Sequence, residues 1–431
     1  MSVHHQRSEI MPGVFLTCLQ TDKFKTGLLS LSLLTRLCRE EAAQNTLIPN
    51  VLRRGTIRCP DMTALSQRLD DLYGARLEPI SRKYGEIQAV GFYASFVDDA
   101  FLPGGESLLE DVTALLGEVL LCPNTRGGLL LPEYVASEKE KLLEDIRARV
   151  NDKVSYSTHR MMELMCPAED YATDVLGTEQ TAENIHYTAL TKHYRRLIAS
   201  APMEIFYCGT APAERVKAAL QSALMMLPRG ELFDDLGTDV RMNTLESEPR
   251  RVTETMDVTQ GKLAMGFRLG ECMENPNIPA LRVMNTVFGG GVSSKLFMNV
   301  REKLSLCYFA SSGLDIFKGI LLVISGIEAE NYDKTVDEIF RQLDAVKAGD
   351  ITEQELASAK KTLTSDLLAR SDSAGELEGF WMGQNLLGLE YGPDELAALI
   401  EDVTTEDVTA AAGSIQCDMI YFMRGGESGD A

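Results

Sequence analysis

Histidine is scarce in this chain, with five among 431 residues, and that scarcity narrows the metal and acid–base chemistry it can host. Cysteine offers no replacement. Nine are scattered at positions 18, 38, 59, 122, 166, 208, 272, 307 and 417, with no Cys-x-x-Cys pair, which fits a reducing compartment where thiols pack as small apolar groups. No Ser/His/Asp or Cys/His set stands in a nucleophile context. Long apolar runs are missing too: Leu28 to Leu34 is short and broken by serines, so it reads as a strand and not as a membrane span. The opening MSVHHQRSEIMPG holds no apolar stretch of signal-peptide length, and the expected location is the cytoplasm. Basic residues are outnumbered, 42 against 64 acidic ones, for a net charge of -22. Such a balance argues against nucleic acid and against an anionic membrane surface as partners.

What is present suits two domains of roughly 200 residues each. In the first half, 13–19, 27–35, 75–81, 87–97 and 203–208 read as strands, with Leu alternating with Ser over part of 27–35 and Val90, Phe92, Ala94 and Phe96 sharing one face of 87–97. Helices are expected from about Glu40 to Arg53, from Asp61 (as N-cap) to Leu72, over Leu108–Leu120, and from Pro132 onward. The second half repeats this order. A helix from Ala280 leads to a glycine turn, another helix over Ser293–Lys303, strands at 307–312 and 319–327, an amphipathic helix carrying Val336, Ile339, Phe340, Leu343 and Val346, a long helix from Thr352, and a last strand at 418–423. Three local echoes support a duplication: YGARLEPIS with CYFASSG, YGEIQAVGFYASFV with FKGILLVISGI, and APMEIFYCG with CDMIYFMRG. The expected fold class is α+β, as two homologous modules, 1–228 and 257–431, each a mainly antiparallel sheet with helices on one face. The polar, acidic stretch 229–256 reads as their linker.

The most informative segment is Gly289 to Tyr308, GGGVSSKLFMNVREKLSLCY. Three glycines grant the backbone conformational freedom, and the helix they deliver carries Leu296, Phe297 and Val300 on one face. No Gly-Lys-Ser/Thr follows, which excludes a phosphate loop. Arg301 and Tyr308 can both direct a polar tip to one place. This stretch resembles the second-half signature of the insulinase and pitrilysin zinc peptidases, the inverzincins. The resemblance implies a clam-shell fold and a substrate-binding role for Arg301, Tyr308, Gly290 and Gly291, with the arginine and tyrosine holding the main chain of a peptide.

Members of that family that cleave peptides carry His-x-x-Glu-His on a first-half helix shortly before a Gly-Thr. Here Gly55-Thr56 is present, but the segment reads TLIPNVLRRGT, so Thr46, Pro49 and Asn50 stand where His, Glu and His belong. Threonine and asparagine are poor zinc ligands, and proline is no base and is expected to break or kink the helix. Glu144 is the nearest match to the family's third ligand and reads as a solvated helix residue. His4 and His5 fall in a terminal tail, and His186 and His193 are seven residues apart. His159 and Glu163 sit one helical turn apart, too few for a metal and better suited to a surface ion pair or an ordinary packed histidine. The resemblance therefore implies a chain without a metal or other cofactor of its own: the non-catalytic, substrate-binding subunit of a heteromeric zinc metallopeptidase. Zinc would reside on a partner subunit of the same family, with a pair of two copies of this chain as the other arrangement. A structural scaffold or a stand-alone peptide-binding protein without hydrolysis are the alternatives.

Overall fold

A computed structural model describes residues 4–234 and 236–426. Strands β1 (His4–Met11), β2 (Val14–Gln20) and β3 (Thr26–Arg36) precede helices α1 (Ala42–Leu52) and α2 (Met62–Asp71). Next come β4 (Arg76–Tyr84), β5 (Ile87–Val97), α3 (Leu109–Leu121), the short hairpin of β6 (Thr125–Arg126) and β7 (Leu129–Leu130), and α4 (Pro132–Ala148). Helices α5 (Lys153–Met165), α6 (Glu179–Glu183) and α7 (Tyr187–Ser200) lead to β8 (Met203–Gly209) and α8 (Ala213–Ala223). The second half runs through β9 (Arg250–Met256), β10 (Gly261–Arg268), α9 (Ile278–Phe288), a π-helix (Leu296–Lys303), β11 (Cys307–Asp315) and β12 (Ile320–Ile327). It closes with α10 (Tyr332–Lys347), α11 (Glu353–Arg370), α12 (Ala374–Leu386), α13 (Pro393–Glu401), α14 (Thr405–Gly413) and β13 (Gln416–Gly425).

These elements form two compact units. The first takes residues up to 147, 173–237 and 373–389, and the second 148–172, 238–372 and those from 390. Each unit thus carries one segment drawn from the other half of the chain. The first unit's sheet has the order β1-β2-β8-β3-β5-β4, and the second's has β11-β12-β10-β13-β9. Written as β2-β8-β3-β5-β4 and β9-β13-β10-β12-β11, the two orders are the same, with one parallel pair (β2 with β8, β13 with β9) and antiparallel neighbours elsewhere. The α+β duplication expected from the echoes is present in the sheets themselves.

In the first unit β3 alternates Leu29, Leu31 and Leu33 with Ser30 and Ser32, yet both faces are buried. The leucines join the core under the helices with Leu47 and Ile48 of α1, Leu116 of α3 and Leu197 of α7. Each such side chain contributes on the order of 1.5–3 kcal/mol on full burial. The serine side is roofed by α12: Ser30 donates to the buried Glu378 carboxylate at 2.9 Å, and Arg82 pairs with the same group at 2.5 Å. In the second unit α5 plays the corresponding part, packing Met161 and Met165 against Ala264, Met419 and Tyr421 of the sheet. The apolar stripe of α10, Val336, Ile339, Leu343 and Val346, is fully buried.

Three expectations change here. The last seven residues of the stretch read as a linker are strand β9, paired with β13. His4 and His5 begin strand β1 instead of lying in a free tail. Helix α1 continues through Pro49 to Leu52, unbroken, because nine of its residues are buried against the unit and tertiary packing outweighs the lost backbone donor.

Candidate functional site

Helix α9 stops at Phe288, and the amides of Gly289 and Gly290 both donate to the Asn285 carbonyl at 2.9 Å. None of Gly289, Gly290 and Gly291 takes a left-handed φ, so the turn does not draw on the freedom that three glycines offer. Space is what the first two supply. A β-carbon on Gly289 would lie 2.6 Å from Ser312 Oγ and 2.8 Å from the Ser312 amide nitrogen, and one on Gly290 would lie 2.8 Å from the α-carbon of Thr286. Gly291 has only the Thr362 methyl group near it, at 4.0 Å. The close approach lets the Gly289 carbonyl accept from the Ser312 amide at 3.0 Å, which occupies part of the open edge of β11.

The helix that follows is not the expected α-helix over 293–303. Leu296–Lys303 winds as a π-helix, with the Leu304 amide reaching back five residues to the Asn299 carbonyl at 3.2 Å. Such wide turns are rare and cluster at functional sites. Its end is closed by bonds from Ser305 to Arg301 (3.1 Å) and from Leu306 to Val300 (3.0 Å), with Ser305 held at φ 51°. A left-handed serine costs on the order of 1 kcal/mol, so packing must enforce it. The wide turn sets Arg301 over the ring of Phe297, 4.6 Å from its centroid, with Nε 3.6 Å from the Glu302 carboxylate.

Tyr308 lies where the register between β11 and β12 slips, between Cys307 and Phe309. A bulge of this kind re-aims a side chain, and Tyr308 is 64% exposed on the edge strand. Arg301 and Tyr308 line one open cleft of about 460 Å³, together with Ser305, Leu306, Cys307, Glu328 and Asn331. Gly290 and Gly291 do not line it. Glu328 and Asn331 went unnoticed in the sequence because they arrive through strand pairing: Cys307 faces Ile327, and the chain turns just beyond. Burial raises the Cys307 thiol pKa, against the opposing pull of the Ser325 hydroxyl and the Arg301 charge.

Thr46, Pro49 and Asn50 lie on α1 of the first unit. Thr46 Oγ1 donates to the Val175 carbonyl at 2.6 Å, accepts from Gln88 Nε2 at 3.1 Å, and meets Ser81 Oγ at 2.8 Å. Asn50 turns back and donates to the Thr46 carbonyl at 2.9 Å. The neighbouring Asn45 is fully buried, donates to Gln88 Oε1 at 2.9 Å, and faces His193 Nε2 at 2.6 Å. Burial lowers the His193 pKa, with the Arg196 charge acting the same way and Glu41 opposing. Glu144 is exposed on α4. His159 Nε2 lies 3.3 Å from the Glu163 carboxylate, as their spacing suggests, and the hydrogen bond from that imidazole is the main reason the Glu163 pKa is lowered. Among the described residues no group of three or more His, Cys, Asp or Glu side chains is placed to hold a metal ion, and no helix is long and apolar enough to cross a membrane.

Comparison with known proteins decides the family. Residues 184–363 match the model of the peptidase M16 inactive domain. Over 416 residues, 96% of each chain, the sequence is 33% identical to a Bacillus subtilis (strain 168) protein described as "Probable inactive metalloprotease YmfF". The chain belongs to the M16 peptidase family. Among solved structures, a conserved protein from Enterococcus faecalis V583 superposes with a TM-score of 0.87 at 26% identity, covering 99% of this chain and 100% of that one. A peptidase M16 inactive domain from Pseudomonas fluorescens shares the fold, with a TM-score of 0.79 at 17% identity over 100% and 99% of the chains.

Thr46, Pro49 and Asn50, which the motif resemblance puts in place of the zinc-binding residues, do not fit the ion. A hydroxyl committed to a carbonyl, a proline ring and an amide turned onto its own helix offer neither imidazole nor carboxylate donors. The fold is that of the M16 family, and Thr46, Pro49 and Asn50 do not supply the imidazole and carboxylate donors that a zinc ion takes.

Proposed function

We propose that this chain is the non-catalytic, substrate-binding subunit of a heteromeric zinc metallopeptidase. The observation that carries the reading is that Arg301 and Tyr308, exposed on a π-helix and a bulged edge strand, line one cleft; the motif resemblance that puts Thr46, Pro49 and Asn50 in place of the family's zinc-binding residues supports it. A guanidinium and a phenol beside an open strand edge are donors for the carbonyls of an extended peptide. The zinc, and the water it activates, would belong to a partner subunit of the same family.

A charge-assisted hydrogen bond from arginine is worth about 1.5–3 kcal/mol, or roughly ten- to a hundredfold in kcat/KM if it acts in the transition state. Tyr308, a neutral donor, is worth about 0.5–1.5 kcal/mol. The test is to purify the chain with a zinc-bearing M16 partner and assay peptide cleavage by wild type, Arg301→Ala and Tyr308→Phe. The expected result is a loss of about ten- to a hundredfold for the arginine variant and up to about tenfold for the phenylalanine one. Cleavage at the wild-type rate by both variants would remove the proposed role.

A further inference from the structure

The hydrogen bonds around α1 run in one direction. Arg196 Nη2 lies 3.2 Å from His193 Nδ1, and because that guanidinium can only donate, the neutral ring carries its proton on Nε2 and gives it to Asn45 Oδ1. Asn45 Nδ2 donates to Gln88 Oε1, and Gln88 Nε2 donates both to Thr46 Oγ1 and, at 3.1 Å, to the Val175 carbonyl. Thr46 ends the chain on the same carbonyl. His193, Asn45, Gln88 and Thr46 are linked in turn, Gln88 Nε2 also reaching the Ala42 carbonyl at 3.2 Å, and the last acceptor in this run is main chain of the segment 173–177.

That segment is tied at both ends as well. Lys83 Nζ donates to the Thr173 carbonyl at 3.3 Å, and Gly177, at φ 72°, sits so close to α1 that a β-carbon on it would lie 2.7 Å from the Ala43 methyl group. We infer that residues 173–177 form a strap that seals the former zinc position, so that the site is closed by geometry and not only by the loss of its ligands. An imidazole at position 46 reaches farther than threonine, and threonine already contacts the Val175 oxygen at 2.6 Å. A restored ligand therefore has to expel the strap and strand its carbonyl. The inference stands apart from the peptide-binding reading, and its test needs neither partner nor peptide.

The test compares two full-length variants by elemental analysis and by chelator competition for zinc. One carries Thr46→His, Pro49→Glu and Asn50→His; the other carries the same three changes and a Gly-Ser-Gly-Ser insertion after Asp174 that lets the strap leave. The expected result is one zinc per chain in the second, held at least about fivefold more tightly than in the first, the equivalent of the one hydrogen bond from Gln88 to the strap that remains once Thr46 is replaced. Equal affinities, or no zinc in either folded variant, would overturn the strap. A second measurement covers the case in which the triple variant does not fold. Thr46→Val combined with Gln88→Leu should speed proteolytic cutting within 173–177 at least about tenfold, and an unchanged rate would sink the inference equally.

Discussion

Glu169 should be the single most damaging charge to neutralise in the second unit. Its carboxylate is 1% exposed and receives Arg268 Nη2 at 2.6 Å, Arg268 Nη1 at 3.1 Å and Lys318 Nζ at 2.7 Å. Arg268 and Lys318 are both fully buried, and Arg268 Nε also bonds Asp418 at 3.0 Å. Glu169 follows α5 in the chain, Arg268 ends β10 and Asp418 opens the buried part of β13, so this cluster fastens the 148–172 segment to the sheet it roofs. Desolvating so many charges is expensive, and replacing the whole cluster by well-packed apolar groups could be neutral. Removing one charge is different. Glu169→Gln leaves two buried cations to share what remains, and breaking a buried pair in this way costs about 3–5 kcal/mol.

For a unit of this size each 1 kcal/mol moves Tm by about 2–4 °C, so the second unit should melt about 10 °C lower, with faster amide exchange in α5 and β10. The pH dependence adds an internal control. Burial by itself would raise the Glu169 pKa, but hydrogen bonds from Arg268 and Lys318 outweigh it and hold the group below its usual 4.5. A depressed carboxylate stabilises above its unfolded pKa and loses that contribution as pH falls through the folded value. The gap between wild type and Glu169→Gln should therefore be full at pH 7 and shrink below about pH 4.5. Differential scanning calorimetry with Glu144→Gln as the exposed control reads this directly. A shift under about 1 °C at pH 7, or one that persists unchanged in acid, would refute the account of the cluster.

Glu204 should behave in the opposite sense: burial pushes its pKa up from 4.5 to about 7, against the pull of Arg7 and Asn385. A raised carboxyl stabilises below the unfolded value and loses that contribution as pH climbs through the folded one, so Glu204→Gln should gain stability at pH 8 by about 3 kcal/mol relative to its effect at pH 4. Urea melts at the two pH values check it, and parallel curves for the two proteins would count against it. In the glycine turn, Gly289→Ala should cost about 1–3 kcal/mol because Ser312 backbone blocks the methyl group, whereas Gly291→Ala should melt with wild type. Equal losses in the two alanine variants would mean that the turn is not limited by space.

Much of the fold was legible because most strands announce themselves. The strands read at 27–35 and 203–208 are buried on both faces, that at 87–97 is buried on one and half-buried along part of the other, all three are mostly apolar, and they appear within two residues of where they were expected. The strands that escaped notice do so for physical reasons. HHQRSEIM (β1) and RRVTETM (β9) lie at sheet edges, where main-chain bonds to one neighbour suffice and side chains can stay polar. GKLAMGFR (β10) is a central strand, but it ends in Arg268, and an arginine that would normally mark a surface is here fully buried among carboxylates. Helix α12 hides behind Gly375, Gly379 and Gly383, which argue against a helix until burial of Leu377, Phe380 and Trp381 overrides propensity. A π-helix cannot be told from an α-helix by its sequence here, since Leu296 and Val300 share a face in both.

The candidate site was legible in its residues and not in its shape. Arg301 and Tyr308 could be named from their motif, yet what lets them meet is a wide helical turn, a left-handed Ser305 and a bulge one residue before Phe309, and none of these leaves a mark in the sequence. The reverse holds for the helix that carries Thr46, Pro49 and Asn50. The missing histidines suggest an empty site with a broken helix, whereas α1 is intact and its polar groups are used up by Gln88, Asn45, His193 and the Val175 carbonyl. A helix relieved of metal ligands would otherwise bury unsatisfied donors at about 1–3 kcal/mol each, and a closed neutral network removes that cost without a metal. Thr46 and Gln88 are committed to the Val175 carbonyl, so the polar groups that α1 buries here are satisfied by the protein's own main chain.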